Sequence, residues 1–495
     1  MNNTDAVKRW EETSNKFCVR CVLRHLCFDW IWVLRNESEI TEHLKETFPE
    51  FLQHAVAGAD SIDNANHQLK RQGSCHCCLG ILESNFLQPC LKHIVDALSK
   101  ESYQFATYQP QYFLPVQLQV FGLYSMKYFE EKYSDVLKKH NPTDVKEVFK
   151  ALMEPILIEG INQERDPNGV LEISLHLKHV STETNFLTHV SSKCNEKKTF
   201  NRKRPKNDEP TFTLARIRSA MLNLNDSELE KLCSIDLEPS VVGNVQLFHT
   251  AVFVGGRYNK YSRELPQTPW LVEGERKLVS SVQEYISTPI QKAFGADSYN
   301  FSTSGREDVD VRMLGNGRPF LIELINARQS KMDATQLTEI SHQINGQNND
   351  VSVHSLKVVS KSDCKKLKEG EEEKTKSYSA VCCFIYPPSP DSISKLEDLS
   401  KITNLELKQK TPIRVLHRRP LATRSRYVHA IKAERNSNDS RVFKLLLSTQ
   451  AGTYVKEFVH GDFGRTTPSL GDLLSAEVDI IDLDVESVNL QWPPT

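Results

Sequence analysis

The sequence predicts an α+β protein of two domains. A cysteine-bearing accessory domain is expected over residues 1–240, and a mixed or antiparallel sheet with helices on its faces over residues 245–495. Three observations carry this expectation. At 495 residues the chain is too long for one ordinary core. From Leu247 onward, short apolar or alternating runs recur with helical periods between them. The C-x-x-C pairs, by contrast, lie within the first hundred residues.

Residues 15 to 100 read as helical segments bearing cysteines. Leu114–Ser125 and Val170–Val180 alternate as strands do. Residues 193–210 are polar and basic and read as a linker, with Lys197, Lys198, Arg202, Lys203, Arg204 and Lys206 as a possible import signal or RNA-touching arm. Thr213–Cys233 reads as helical. Strands then follow at Leu247–Val254, Pro319–Ile325, Leu356–Ser360, Tyr378–Tyr386, Tyr427–Ala433, Val442–Ser448 and Val478–Val485. Helices are expected at Glu275–Ala293, Met332–Ile344 and Ser392–Ser400. The segment Lys361–Lys376 is dense in charge and reads as exposed.

Charged residues make up 25% of the chain and its net charge is -2, which suits a soluble globular protein and argues against a globally basic nucleic-acid binder. Any RNA contact must come from local patches. One such patch holds Arg414, His417, Arg418, Arg419, Arg424 and Arg426. On a strand, Arg424 and Arg426 would share a face and follow one phosphate track. No run approaches the roughly 20 apolar residues that span a bilayer. The first residues have neither the apolar core of a secretory signal nor an Arg-rich amphipathic start, so a reducing compartment is expected.

In a reducing compartment the 12 cysteines should be free or metal-bound. Cys18-Val19-Arg20-Cys21 and Cys75-His76-Cys77-Cys78 are two knuckles able to close a thiolate cage around Zn2+. His76 and Cys77 leave the second pair of ligands ambiguous. Four thiolates leave no open position for water, so such a zinc is structural.

The most informative segment is Gly305-Arg306-Glu307-Asp308-Val309-Asp310-Val311-Arg312, a turn and strand mixing acids with arginines. A carboxylate beside a cation stays ionised at neutral pH and can act as nucleophile or base. Arginines at the same place can hold phosphate bidentately.

This segment, extended to Gly315, resembles the catalytic motif of the Pus-ten family of tRNA pseudouridine synthases. Lys376-Ser377-Tyr378-Ser379-Ala380 resembles the strand carrying that family's active-site tyrosine. Gly452 to Asp462 resembles the motif of its basic residue, and Val478 to Val485 resembles its last motif. Lys260 to Trp270 and Leu416 to Pro420 look like further signatures. The resemblance implies a synthase fold and isomerisation of uridine 54, uridine 55 or both in the T-arm of tRNA. It implies Asp308 as the essential carboxylate and Arg306 beside it. Tyr378 would stack the base and move protons, Lys456 would be the charge partner of Asp308, and Leu483 would line the pocket. Arg418, Arg419, Arg424 and Arg426 become RNA contacts. The resemblance also supports Cys18, Cys21, Cys75 and Cys78 as the zinc ligands of a THUMP-type accessory domain. It brings in no organic cofactor and no catalytic metal. The expected partners are tRNA and other structured RNAs; the expected protein is a monomer in the nucleus, the cytoplasm or both, with no membrane attachment.

Two other readings compete. Asp308 and Asp310 form a D-x-D that, on a strand, would face one side and hold two Mg2+ with Glu323, as in a nucleotidyltransferase. Alternatively, the protein is a non-catalytic adaptor for structured RNA.

Overall fold

The computed structural model describes residues 16–25, 33–35, 39–40, 73–137, 142–183, 185–192, 214–373 and 375–494. The expected linker at 193–210 lies outside them. The chain divides into two compact units, Met1–Phe248 and His249–Thr495. No helix among the described residues is long and apolar enough to cross a membrane.

The first unit contains α1 (Val19–His25), α2 (Ser84–Glu101), β1 (Thr107–Phe113), α3 (Leu118–Leu137), α4 (Val145–Ile161), β2 (Glu164–Arg165), β3 (Leu171–Lys178), α5 (Asn185–Ser192), α6 (Leu214–Met221), α7 (Asp226–Cys233) and β4 (Val241–His249). Its strands form one sheet in the order β2-β1-β3-β4, with β1 parallel to both β2 and β3. The expectation of a strand over Leu114–Ser125 is wrong. Alternation there is local, whereas the buried Leu118, Phe121, Ser125 and Phe129 recur at helical spacing into the following residues.

The second unit contains β5 (Val252–Lys260), β6 (Leu271–Val272), β7 (Glu275–Arg276), α8 (Val282–Phe294), β8 (Ser298–Thr303), β9 (Arg312–Ile325), α9 (Ala334–Asn345), β10 (Val351–Val359), α10 (Lys361–Glu373), β11 (Lys376–Phe384), α11 (Pro390–Asp398), β12 (Thr403–Lys410), β13 (Thr423–Arg435), β14 (Val442–Thr449), α12 (Val455–His460), β15 (Thr466–Thr467), α13 (Leu470–Leu474) and β16 (Val478–Val488). Ten strands make one mixed sheet, β10-β5-β9-β16-β11-β14-β13-β12-β15, with β8 added beside β9. Pairing is antiparallel except at the centre, where β16 runs parallel to β9. The seam is close: a Cβ on Gly315 would lie 1.9 Å from the Glu486 carbonyl oxygen, so only glycine fits.

Two further expectations need correction. Leu247–Val254 is not one strand, because the chain breaks at Thr250 and Ala251 and β4 and β5 join different sheets. The helix expected from Glu275 starts at Val282, where the Ser281 side chain caps it by accepting from the Glu284 amide. Glu275 instead belongs to the β6–β7 hairpin.

Candidate active site

The turn between β8 and β9 carries Arg306, Glu307, Asp308 and Asp310. Gly305 opens it at φ 86°, and a Cβ there would stand 2.6 Å from Lys376 Nζ and 2.9 Å from Arg318 Nη1. The D-x-D does not sit on a strand, since β9 begins at Arg312 and both aspartates belong to the turn.

Behind the turn, Glu307 is buried. Its Oε2 accepts from Arg318 Nε at 2.6 Å and its Oε1 accepts from the Tyr258 hydroxyl at 2.6 Å. Gln267 donates to that same hydroxyl at 2.7 Å. The Lys260 ammonium, also buried, donates to the carbonyls of Leu265 (2.8 Å), Asp308 (3.2 Å) and Val309 (2.6 Å). Arg263 continues the clamp, donating to the Asp310 carbonyl at 2.8 Å and the Leu483 carbonyl at 2.9 Å. Three successive carbonyls of the turn are thus tied to cations. Arg263 and Arg312 meet on Asp484, which links the turn to β16.

In front of the turn lies a cleft of about 880 Å³. Asp308, Arg306, Tyr378, Lys456, Leu483, Arg418, Arg419 and Arg426 all line it, together with Arg414, Arg318 and Lys376. The structure brings these residues together from the β8–β9 turn, β9, β11, β13, β16, α12 and the segment after β12. Arg424 is not among the lining residues; its Nη1 lies 3.5 Å from Thr411 Oγ1. Glu323 is absent from the lining too, and accepts from Asn300 at 2.9 Å.

Asp308 Oδ2 accepts from Arg414 Nη1 at 2.9 Å and stands 3.7 Å from Lys456 Nζ. Lys456 is nearer to Asp310, at 2.7 Å. Burial pushes the Asp310 carboxyl up, but the bond and charge of Lys456 outweigh it and leave the group below the usual carboxylate range. An ammonium thus occupies the position between the two aspartates. Arg414 is itself held by the buried Glu457, whose Oε1 accepts from its Nε at 2.6 Å. Burial raises the Tyr378 phenol above its ordinary value, with the nearby Arg318 charge opposing, so it stays protonated at neutral pH.

Sequence reasoning placed Arg414 only in the basic patch, quoted Glu307, Lys376 and Glu457 within motifs without giving them a role, and missed Arg318. A signal existed for Lys260 and Arg263, which belong to one of the motifs, but nothing local showed what they hold.

In the first unit, Cys18, Cys21, Cys75 and Cys78 are buried with their sulfurs within 4.8 Å of one another. Cys18 Sγ is 3.7 Å from Cys78 Sγ. Tetrahedral zinc, with Zn–S bonds near 2.3 Å, sets sulfurs about 3.8 Å apart, so the set fits a tetrahedral ion. The Cys18 amide also donates to Cys75 Sγ at 3.2 Å. The ambiguity over His76 and Cys77 resolves. His76 turns its ring nitrogens to the Lys16 and Ile235 carbonyls, and Cys77 accepts from Arg24 at 2.9 Å and Ser125 at 3.2 Å.

The chain is similar to known proteins over most of its length. The family model "Pus10, C-terminal" matches residues 253–489, and "Eukaryotic Pus10, N-terminal" matches residues 75–242. The chain is 40% identical over 429 residues to the tRNA pseudouridine synthase Pus10 of Homo sapiens, covering 85% of this chain and 79% of that one. It is 36% identical to the Mus musculus protein of the same name over 97% and 96% of the two chains. The Thermofilum pendens protein is 41% identical over 53% of this chain and 57% of its own. Among solved structures, a Cbf5-Nop10-Gar1 complex aligns over 48% of each chain at 14% identity and a TM-score of 0.26, too weak a likeness to argue from.

Proposed function

The chain belongs to the Pus10 family of tRNA pseudouridine synthases, and from that premise we propose that it isomerises uridine to pseudouridine in the T-arm of tRNA, at uridine 54, uridine 55 or both. The observation that carries this reading is the partly exposed Asp308 carboxylate, paired with Arg414 and near Lys456, in the lining of an arginine-rich cleft.

The reaction breaks the N1–C1′ bond, turns the uracil and rejoins it through C5. Asp308 is the essential carboxylate, paired with Arg414 and close to Lys456, and it attacks C1′ or takes a proton. Reaching the target requires flipping the base out of its stack, at a cost of a few kcal/mol. Tyr378 supplies the ring that receives it, and its protonated hydroxyl serves proton transfer. Arg306 orients Asp308 or fills the space the base leaves. Leu483 keeps the pocket dry. Arg418, Arg419, Arg424 and Arg426 grip phosphates of the tRNA backbone. The first unit is a THUMP-type accessory RNA-binding domain, in which Cys18, Cys21, Cys75 and Cys78 hold a Zn2+ that cross-links the fold. The protein acts as a monomer, in the nucleus, the cytoplasm or both.

The ammonium between Asp308 and Asp310, and the absence of Glu323 from the lining, count against a two-metal nucleotidyltransferase. The test is to incubate unmodified tRNA transcripts with the purified protein and map pseudouridine. Conversion in the T-arm is expected, in EDTA as well as without it. Tight tRNA binding with no conversion at any position would favour the adaptor instead.

A further inference from the structure

Between α12 and β15, four consecutive residues adopt positive φ: Gly461 at 79°, Asp462 at 46°, Phe463 at 53° and Gly464 at 78°. Two of them carry side chains that this region of backbone space disfavours. The turn is held nevertheless. The Gly461 amide donates to the Glu457 carbonyl at 2.9 Å, and the Thr466 amide returns to the Gly461 carbonyl at 3.1 Å. The buried Asp462 carboxylate accepts from the Ile413 amide at 3.2 Å, and Arg465 Nη2 donates to the Thr411 carbonyl at 2.6 Å.

The product of this strained, well-anchored turn is a phenylalanine that is 95% exposed. A ring of that size ordinarily goes inside. Both anchors, Thr411 and Ile413, belong to the segment that supplies Arg414, Arg418 and Arg419 to the cleft. Ile413 itself is half-exposed, at 48%. An apolar ring tethered to a segment rich in guanidinium groups suits a partner offering both phosphates and flat apolar faces. Nucleic-acid bases have that combination. A protein surface would match both features only if it set carboxylates beside an apolar pocket.

We propose that Phe463 is a stacking platform for an RNA base outside the target uridine's pocket, presented by the Gly461–Arg465 turn. The proposal rests on the reading that the cleft receives structured RNA.

The experiment compares full-length wild type, Phe463→Ala, Phe463→Tyr and an Arg418→Glu/Arg419→Glu control. Affinity for a tRNA transcript is measured across a salt series, and pseudouridine formation at saturating protein in a single turnover. Phe463→Ala should bind roughly 5- to 160-fold more weakly, the range found when a stacked ring is removed. Its slope of log affinity against log salt should match wild type, because stacking releases no counterions, whereas the arginine control should flatten that slope. Phe463→Tyr should restore affinity, and the saturated rate should change little. Wild-type affinity in Phe463→Ala overturns the proposal while an active wild type keeps the synthase reading. A changed slope in Phe463→Ala overturns it too. A wild type that binds no structured RNA removes both readings.

Discussion

Glu307 and Asp308 are adjacent in the chain and opposite in circumstance. The Glu307 side chain is 0% exposed and engages both its oxygens with buried donors; that of Asp308 is 35% exposed and meets its cations across an open cleft. The wall behind the turn consists of Glu307, Arg318, Tyr258, Lys260 and Arg263, each satisfied by protein groups. The face in front is a half-filled arrangement with room for a charged substrate. One acid braces the turn and its neighbour is displayed by it. The lesson is that a carboxylate becomes chemically available through the saturation of the groups behind it, as well as through the cations beside it.

The sharpest way to break the comparison is Asp308→Asn. Pseudouridine formation should fall roughly a thousandfold, with tRNA affinity and melting temperature near wild type. Near-normal turnover would show that the displayed acid is not the working one.

Glu307→Gln should do the reverse in kind. It leaves the Arg318 guanidinium buried without its counter-charge, which costs about 3–5 kcal/mol of stability. Equilibrium unfolding in denaturant would measure this, and an unchanged midpoint would mean that the wall does not depend on the pair.

Lys260 sharpens the distinction through pH. Burial holds its pKa at about 8 against an ordinary 10.5, with the surrounding Glu307, Asp310 and Asp308 opposing that shift and Arg263 adding to it. Between those values the unfolded chain binds the proton that the folded one has lost. The penalty for burying the charged lysine is therefore full below about pH 8 and fades as pH rises towards 10.5. Stability of wild type relative to Lys260→Met should rise across that window, by at most about 1.4 kcal/mol per pH unit. Paired unfolding curves at the two ends of the window check it; a difference independent of pH would show that the lysine keeps its ordinary pKa.

The smallest effect belongs to Asp310→Asn. Lys456 loses its 2.7 Å partner but keeps Asp308 within reach. A decrease in single-turnover rate of only about threefold is expected, since one charge of a partly exposed network is removed. A loss as large as that of Asp308→Asn would place the chemistry on both acids.

Much of the second unit was legible because its strands repeat every few residues and its motifs are contiguous. Pro319–Ile325 and Val442–Ser448 each fall on a strand for that reason, and Tyr378–Tyr386 overruns its strand by two residues. What stayed hidden was pairing across distance. Arg414 reaches Asp308 over 106 residues and Lys456 reaches Asp310 over 146, and neither partner carries a local mark of the other. Lys260 heads one of the motifs, but nothing local shows that β5 delivers it beneath the turn. Leu114–Ser125 failed for the opposite reason: a short stretch alternates, and the longer helical period that overrides it becomes visible only over α3.

The position of β16 bears on how such a protein is made. Its residues are translated after those of every other strand in the sheet, yet it lies between β9 and β11 and hydrogen-bonds to both. Until Val478–Val488 emerge from the ribosome, the half carrying Asp308 and the half carrying Tyr378 have no common strand, and two sheet edges stand open to other chains. Synthesis halted before Val478 would not yield a trimmed enzyme. It would leave two unjoined sheets, each with an edge ready to aggregate.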